Sequence, residues 1–226
     1  MITIKEIADL ANVSRTTVSR VLNNSGYVSE KARQSVLKVI EETGYIPSAH
    51  AKALRTKRSR VIGVILPKIS TETSSRVVNG MNEVLAGSGY QILLANTNLD
   101  KEKEIEYLKL LQSRQVDGVV LLGTNTEKKL QKEMRELKIP VIVVGQELAG
   151  IPSIVFDDYG AARELAGLFV EKGYRSIAFI GVDEADRAVG LMRKKGFLSL
   201  LNEHGISIKE SWIQTGDFPL NRVMRL

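Results

Sequence analysis

The sequence predicts an α/β protein with two parts, a small all-α helix-turn-helix head followed by a larger body built on a parallel sheet. In residues 1–46, apolar residues recur at helical spacing between residues that begin and end helices. From Val61 onward, short apolar runs alternate with helical stretches. The first 60 residues hold eleven Lys and Arg against five Asp and Glu, whereas the rest holds twenty-one of each. A basic head on a neutral body is expected where only the head meets a polyanion.

The composition excludes several classes of site. The chain has no Cys, which excludes disulfides, thiolate-bound zinc and a thiol nucleophile. The apolar runs at 61–67 and 118–123 are shorter than the ~18 residues of a membrane span, and the N-terminus lacks a secretory-signal pattern. The whole chain contains only two His and no Walker, nucleophile-elbow or zinc-protease motif. We therefore expect a cytoplasmic protein that is not an enzyme, contacts no membrane and needs no metal or cofactor.

The first two helices of the head have the spacing of a helix-turn-helix. Thr3 and Glu6 form a capping box that begins the first helix. Small Ala8 lets two helices cross closely, Asn12 tolerates the left-handed backbone of a tight turn, and Ser14 caps the second helix. This second helix is expected to carry Val18, Val21 and Leu22 inward.

A third helix is predicted between Ser29, which caps it, and Gly44, which ends it. Its apolar residues are expected to pack on one side against the other two helices. They are Val36, Leu37, Val39 and Ile40.

The outer face of the second helix has the chemistry of a recognition helix. Arg can donate two hydrogen bonds to guanine, the Thr methyl group can contact thymine, and hydroxyls can hold phosphates. An αα-hairpin with a solvated polar face is the alternative. The candidate DNA contacts of the head are Thr3, Ser14, Arg15, Thr16, Thr17, Ser19, Arg20 and Asn23.

The body is predicted to alternate strands and helices. The strands are predicted at 61–66, 90–95, 117–123, 140–145, 153–157, 176–181 and 211–216, with helices near 74–87, 101–114, 126–137, 159–172 and 187–204. Continuous apolar strands with intervening helices favour a parallel sheet covered on both faces. Two successive sets indicate a periplasmic-binding-protein-like body, in which a ligand lies between two lobes. The predicted domains are the head (1–46), a hinge and basic linker (47–60), a first lobe (61–150) and a partial second lobe (151–226).

Two stretches of the head resemble the lactose-repressor/galactose-repressor family of bacterial transcription regulators. They are ITIKEIADLANVSRTTVSRVLN and VSEKARQSVLKVIEETGYIPSAHAKAL, with the specific strings V-S-x-x-T-V-S-R-V-L-N and G-Y-x-P-x-x-x-A-x-x-L. The resemblance implies that the intact form is a homodimer, which binds double-stranded operator DNA and a small-molecule effector, for which we expect a sugar. It also implies that the segment after Pro47 becomes helical on DNA and pairs with its copy. Leu54 would then enter the minor groove with Ala51 and Arg55 beside it, or would instead pack onto the body.

Candidate effector contacts follow the predicted strands. Asp157 and Asp158 could bind sugar hydroxyls or a metal, although one of them is more simply a helix cap. The resemblance places Arg193 at a position that often contacts the effector, with Arg187 before it; otherwise Arg193 belongs to a basic helix face. The full set of effector candidates is Ser74, Ser75, Thr124, Asn125, Asp157, Asp158, Arg187 and Arg193.

The predicted function is that of a repressor of a sugar-utilisation operon. The alternatives are a catabolite-control-type regulator with a protein corepressor and a solute-binding module. Residues 61–226 are fewer than two lobes of about 100–150 residues each require. We therefore expect a truncated second lobe, weakened dimerisation, reduced or absent operator binding and little induction by ligand for this chain.

Overall fold

The computed structural model describes residues 2–45 and 58–216. The chain divides into two compact units, one ending at Ser59 and one beginning at Arg60. The first contains the predicted helical head and the second the predicted parallel α/β body. The fold class expected from the sequence is therefore confirmed.

Three helices form the head: α1 (Ile4–Leu10), α2 (Arg15–Asn23) and α3 (Glu30–Thr43). The predicted capping residues begin them, because the side chains of Thr3, Ser14 and Ser29 each accept a backbone N–H from the first helical turn. Asn12 and Gly44 adopt the left-handed backbone that was expected of them, with φ angles of 51° and 60°. Side-chain caps and left-handed residues thus determine where each helix begins and ends.

The core of the head is small and apolar. It consists of Ile7, Ala8, Ala11, Val18, Val21, Val36 and Val39. The expectation for Leu37 is wrong, because its side chain is 50% exposed. A residue directly after Val36 is rotated by about 100° around the helix and therefore leaves the face that Val36 and Val39 share.

The body begins with seven alternating elements: β1 (Val61–Leu66), α4 (Glu72–Gly87), β2 (Gln91–Asn96), α5 (Lys101–Ser113), β3 (Gly118–Leu122), α6 (Lys128–Glu136) and β4 (Val141–Val144); a further strand, β5 (Ser153–Ile154), follows β4 directly. It continues with α7 (Asp158–Glu171), β6 (Phe179–Gly181), a π-helical turn (Arg187–Met192), α8 (Arg193–Glu203) and β7 (Ile213–Thr215). The helix predicted near 187–204 therefore starts as a π-helical turn, in which the N–H of Leu191 donates to the carbonyl of Asp186.

All strand pairs in the body are parallel. The first sheet has the order β2-β1-β3-β4-β5, and β6 pairs with β7 in a second sheet. Apolar residues of β1, β3 and β4 pack against α5 and α6 on one face of the five-stranded sheet, with Leu108, Leu121 and Leu130 fully buried. A separate cluster around Ala166, Phe197 and Leu201 joins α7 to α8.

One strand lies in a different sheet from the one expected. The sequence pattern predicts that the run after residue 151 belongs to the second lobe, but β5 pairs with β4 through Val143 and Ser153. The five-stranded sheet therefore extends past the predicted boundary at 150/151. A two-residue strand has no alternation of its own, so the pattern of residues could not indicate its partner.

None of the helices in residues 2–45 and 58–216 combines the length and the hydropathy of a membrane-spanning segment.

Candidate functional site

The predicted recognition face of α2 lies opposite the core of the head. Val18 and Val21 are buried, so helical spacing directs Thr16, Arg20 and Asn23 away from the core, and all three are exposed. Arg15 is exposed at the start of the helix, whereas Thr17 and Ser19 are half-buried. α2 contains two Arg and no acidic residue. The helix therefore offers cations and hydroxyls to a partner without a like-charged group that would repel phosphate.

Hydrogen bonds fix the N-terminal turn of α2. The Ser14 hydroxyl accepts the Thr17 N–H at 3.1 Å and lies 2.9 Å from the Thr17 hydroxyl. In α1, the N–H of Thr3 donates to Glu6 at 2.7 Å, and this side-chain and backbone bonding holds the pKa of Glu6 below its usual value. The predicted contacts Thr3, Ser14 and Thr17 therefore also hold the two helices in shape, which leaves a DNA role for them as a prediction.

The basic excess of the first 60 residues lies mainly after the third helix. Residues 2–45 contain six Lys and Arg against five Asp and Glu, and residues 52–60 add five basic residues and no acidic one. The hinge candidates Ala51, Leu54 and Arg55 lie outside the described residues. Salt-dependent attraction to phosphates is thus expected to come largely from the linker, and specificity from α2.

Three of the six buried polar residues in the described part of the body follow strand ends. Thr97, Asn125 and Gln146 follow β2, β3 and β4, and all three are buried. In parallel α/β sheets, ligands bind outside the carboxyl ends of the strands. Within the described part of the chain, every buried side-chain nitrogen and oxygen has a hydrogen-bond partner. This edge is therefore polar and internally satisfied.

A cavity of about 1040 Å³ is lined by residues of α7, β6 and α8. Its walls are largely apolar, and Asp157, Asp158 and Arg193 contribute the predicted polar groups. Asp158 is buried and accepts from Nε of Arg193 at 2.6 Å, whereas the Arg193 side chain is 51% exposed. The structure therefore brings three predicted effector residues together, with an arginine held by a carboxylate at the cavity wall.

Asp157 has a structural role besides lining the cavity. Its Oδ1 accepts the N–H of Gly160 at 2.8 Å, so Asp157 caps α7, as one of the two aspartates was expected to do. The neighbouring Asp158 is left to pair with Arg193.

A close helix crossing positions Arg193. A Cβ at Gly196 would overlap the carbonyl oxygen of Tyr159, so only glycine lets α8 approach α7 this closely. Arg193 is one helical turn before Gly196 and reaches Asp158 across the same crossing. Glycine three residues after Arg193 therefore lets the arginine reach α7.

Five predicted effector residues are outside this cavity: Ser74, Ser75, Thr124, Asn125 and Arg187. Ser74 and Ser75 both bond Thr71 in the first turn of α4. Asn125 donates to the buried Glu104 at 2.8 Å and accepts the N–H of Glu127 at 2.9 Å. The side chains of Ser74, Ser75 and Asn125 are therefore used within the fold.

Glu104 is a buried acid that the sequence analysis missed. It is 3% exposed, and burial raises its pKa to about 7, while the hydrogen bond from Asn125 acts in the opposite direction. Its position was detectable, because it precedes the buried Leu108 by four residues and Leu111 by seven, which places it on the inner face of α5.

Gln146 and Asp186 were also missed. Nε2 of Gln146 donates to Oδ1 of Asp186 at 2.7 Å across 40 residues of sequence. A polar residue just after a buried parallel strand was the available signal for Gln146; nothing local indicated its partner.

Two family models match this chain. Residues 3–48 match the bacterial regulatory proteins of the lacI family, and residues 59–223 match the periplasmic binding proteins and sugar binding domain of the LacI family.

Individual relatives agree with the family models. The sucrose operon repressor of Staphylococcus xylosus is 36% identical over 203 residues, covering 90% of this chain and 63% of that protein. Catabolite control protein A of Priestia megaterium is 30% identical, covering 96% and 66%. Among solved structures, the complex of the transcriptional regulator CelR with cellobiose is 27% identical with a TM-score of 0.63, covering 98% and 67%. The chain thus spans slightly less than two thirds of these two curated relatives, and it belongs to the lacI family of bacterial regulatory proteins.

Proposed function

We propose that this chain acts as a sequence-specific DNA-binding transcription regulator, a repressor of a sugar-utilisation operon that a sugar effector releases. The observation that carries the proposal is the outer face of α2, which presents Arg15, Thr16 and Arg20 with no acidic residue on the helix. Membership of a family of bacterial regulatory proteins supports it. In this proposal residues 1–46 read the operator and residues 47–60 form the hinge, with Ala51, Leu54 and Arg55 as its DNA contacts.

We place the effector at the cavity that contains Asp158 and Arg193, which is lined by residues of the lobe at 151–226. An arginine fork held by a carboxylate suits paired sugar hydroxyls, and the apolar walls suit the less polar face of a sugar ring. The similarity to a sucrose operon repressor and to a regulator in complex with cellobiose makes these two disaccharides the first probes. In the repression mechanism, the sugar binds the DNA-free state more tightly than the DNA-bound state.

A homodimer completes the proposal, because two heads joined on a palindrome bind with an effective-concentration gain that one head lacks. The surface around β2 supports it. β2 is the edge of the five-stranded sheet and exposes Leu93 and Leu94, and Val84 of α4 is 72% exposed. An open apolar sheet edge favours association with another chain.

Arg15→Ala is the first test of DNA binding. We expect operator affinity to fall about 10- to 100-fold, the ~1–3 kcal/mol attributed to one arginine-to-base contact. The measurement is fluorescence anisotropy on a selected palindromic duplex and on random duplex, at two salt concentrations. Light scattering in the same samples is expected to give twice the chain mass of 25.0 kDa.

Lys38→Ala is the matched control, since it removes one exposed positive charge from α3, where Lys38 pairs with Glu42 at 3.8 Å. Its affinity is expected to stay within about twofold, since a surface pair of this kind contributes little. A folded wild-type chain that binds neither duplex at either salt concentration would exclude the proposed function.

Arg193→Lys tests the effector site. Lysine keeps the charge beside Asp158 but lacks the planar fork, so we expect at least tenfold weaker binding of sucrose or cellobiose by calorimetry. Arg175→Lys is the control, because Arg175 is exposed and is not among the residues that line the cavity. Equal sugar affinity in wild type and Arg193→Lys would show that the effector does not bind at this cavity.

The similarity to catabolite control protein A favours the catabolite-control-type regulator as a second candidate. The family resemblance implies a protein corepressor for a regulator of that type. A pull-down from lysate with and without sugar separates the two. Sugar-independent recovery of one protein that strengthens operator binding supports the corepressor form, and sugar alone releasing the operator supports the first.

A further inference from the structure

Gln146 connects the five-stranded sheet to the segment that carries the cavity arginine. It follows β4 by two residues and is 3% exposed. Its amide donates to Oδ1 of Asp186 at 2.7 Å. The same oxygen accepts the N–H of Val189 at 3.1 Å, so Asp186 is also the N-terminal cap of the π-helical turn. One carboxylate oxygen therefore joins the end of β4 to the start of that turn.

Hydrogen bonds, a close backbone contact and an ion pair hold the segment around Asp186 together. The carbonyl of Asp186 accepts the N–H groups of Gly190 at 2.9 Å and Leu191 at 3.1 Å. A Cβ at Gly190 would overlap the carbonyl oxygen of Asp183, so the loop before the turn lies directly on it. Lys194 of α8 pairs with Glu184 of that loop at 2.7 Å. A displacement of Asp186 is therefore transmitted to the beginning of α8.

The beginning of α8 is where Arg193 meets Asp158. We propose that Gln146 is a positioning residue of the effector site: by holding Asp186 it sets the π-helical turn and α8, and so the placement of Arg193 at the cavity. The proposal rests on the proposed function for the role of this cavity. π-helical turns are often found at functional sites, where a widened turn redirects a side chain. Gln146 itself is not among the residues that line the cavity.

The chemistry of the pair allows a rescue experiment. Gln146→Glu sets a carboxylate against the carboxylate of Asp186 and removes the donor. Asp186→Asn keeps an oxygen that can accept from both Gln146 and Val189. In the double variant, the introduced asparagine has to rotate its amide so that its N–H donates to the introduced glutamate while its oxygen accepts from Val189, because one oxygen of Asp186 serves both partners in the wild type. Gln146→Glu alone is thus expected to break the hydrogen bond between residues 146 and 186, and Asp186→Asn alone is expected to keep it. The double variant can form a hydrogen bond between the two positions again.

The expected results concern two measurements on the full chain. Calorimetry with sucrose is expected to show affinity about tenfold weaker for Gln146→Glu, within twofold of wild type for Asp186→Asn, and within threefold for the double variant. Amide hydrogen exchange at Val189, Gly190 and Leu191, whose N–H groups bond Asp186, is expected to quicken at least tenfold in Gln146→Glu and to return toward the wild-type rate in the double variant. A glutamine that only stabilises the fold as a whole would quicken exchange throughout the body, whereas a positioning glutamine quickens it at these three amides.

If Gln146→Glu does not fold, Gln146→Met replaces it, because methionine keeps the length of the side chain and lacks the donor. We expect Gln146→Met to show the same loss of sucrose affinity and the same faster exchange at 189–191. Asp186→Asn is not expected to rescue either of them. Unchanged exchange at 189–191 in both variants at position 146, or wild-type sucrose affinity despite faster exchange, would overturn the proposal. If the wild-type chain binds neither sucrose nor cellobiose, the sugar effector of the proposed function fails. The hydrogen-exchange measurement then still decides whether Gln146 holds the π-helical turn. Unchanged exchange at 189–191 overturns the proposal, and a return of the exchange rates toward wild type in the double variant supports it.

Discussion

Gly196→Ala is expected to lower the stability of the body by about 3 kcal/mol, the upper end for an added methyl group in a packed interior. The new Cβ would overlap the carbonyl oxygen of Tyr159 and lie 3.0 Å from its carbonyl carbon. Both atoms are backbone of α7, so no rotamer change relieves the contact and the two helices must separate. Thermal unfolding followed by Trp212, the single tryptophan of the chain and a residue of the body, is expected to show a Tm lower by about 6–12 °C.

Gly167→Ala is the matched control for this crossing. Gly167 lies in α7, where an added Cβ would be 3.9 Å from Leu200 of α8, an ordinary van der Waals distance. Since alanine is the better helix former, this variant is expected to be unchanged or more stable by up to ~1 kcal/mol. Equal Tm values for the two variants would show that α8 can leave α7 without cost, and the close approach would then not be what holds Arg193 against Asp158.

Features encoded in a few neighbouring residues were predictable from the sequence. Capping by Thr3, Ser14 and Ser29 and the left-handed turn at Asn12 depend on local hydrogen bonding and backbone preference, so the head was predicted helix by helix. The alternation of strands and helices in the body was predictable for the same reason.

Features that depend on contacts between distant elements were not predictable. β5 has two residues and gains its place only by pairing with β4. Gln146 and Asp186 are 40 residues apart, and the closeness of Gly196 to Tyr159 arises only when α7 and α8 cross. The candidate site was therefore recovered only where a resemblance or a strand end marked it, as at Arg193 and Asp158.

Glu104→Gln is expected to make the body more stable at pH 8 and to remove much of its pH dependence between about 5 and 7. Burial raises the pKa of Glu104 from 4.5 to about 7, so the folded chain binds a proton more tightly than the unfolded chain. The stability that this proton contributes is fully present below about pH 4.5 and is lost as the pH rises through 7. At ~1.36 kcal/mol per pKa unit the full loss is about 3 kcal/mol. Glutamine is neutral throughout and keeps an oxygen that can accept from Asn125.

The measurement is urea unfolding followed by Trp212 fluorescence at pH 5, 6, 7 and 8, with Glu106→Gln, an exposed position on the same helix, as the control. The wild type and the control are expected to lose stability across this range, and Glu104→Gln to converge with them near pH 5. Glu203 has the opposite sign, because the Arg163 guanidinium lowers its pKa to about 2 and its contribution is lost only in stronger acid, outside this window. A wild-type stability that stays level from pH 5 to 8 would mean that Glu104 is solvated in solution and that the buried pair with Asn125 opens, because a dry carboxylate at this position cannot ionise without cost.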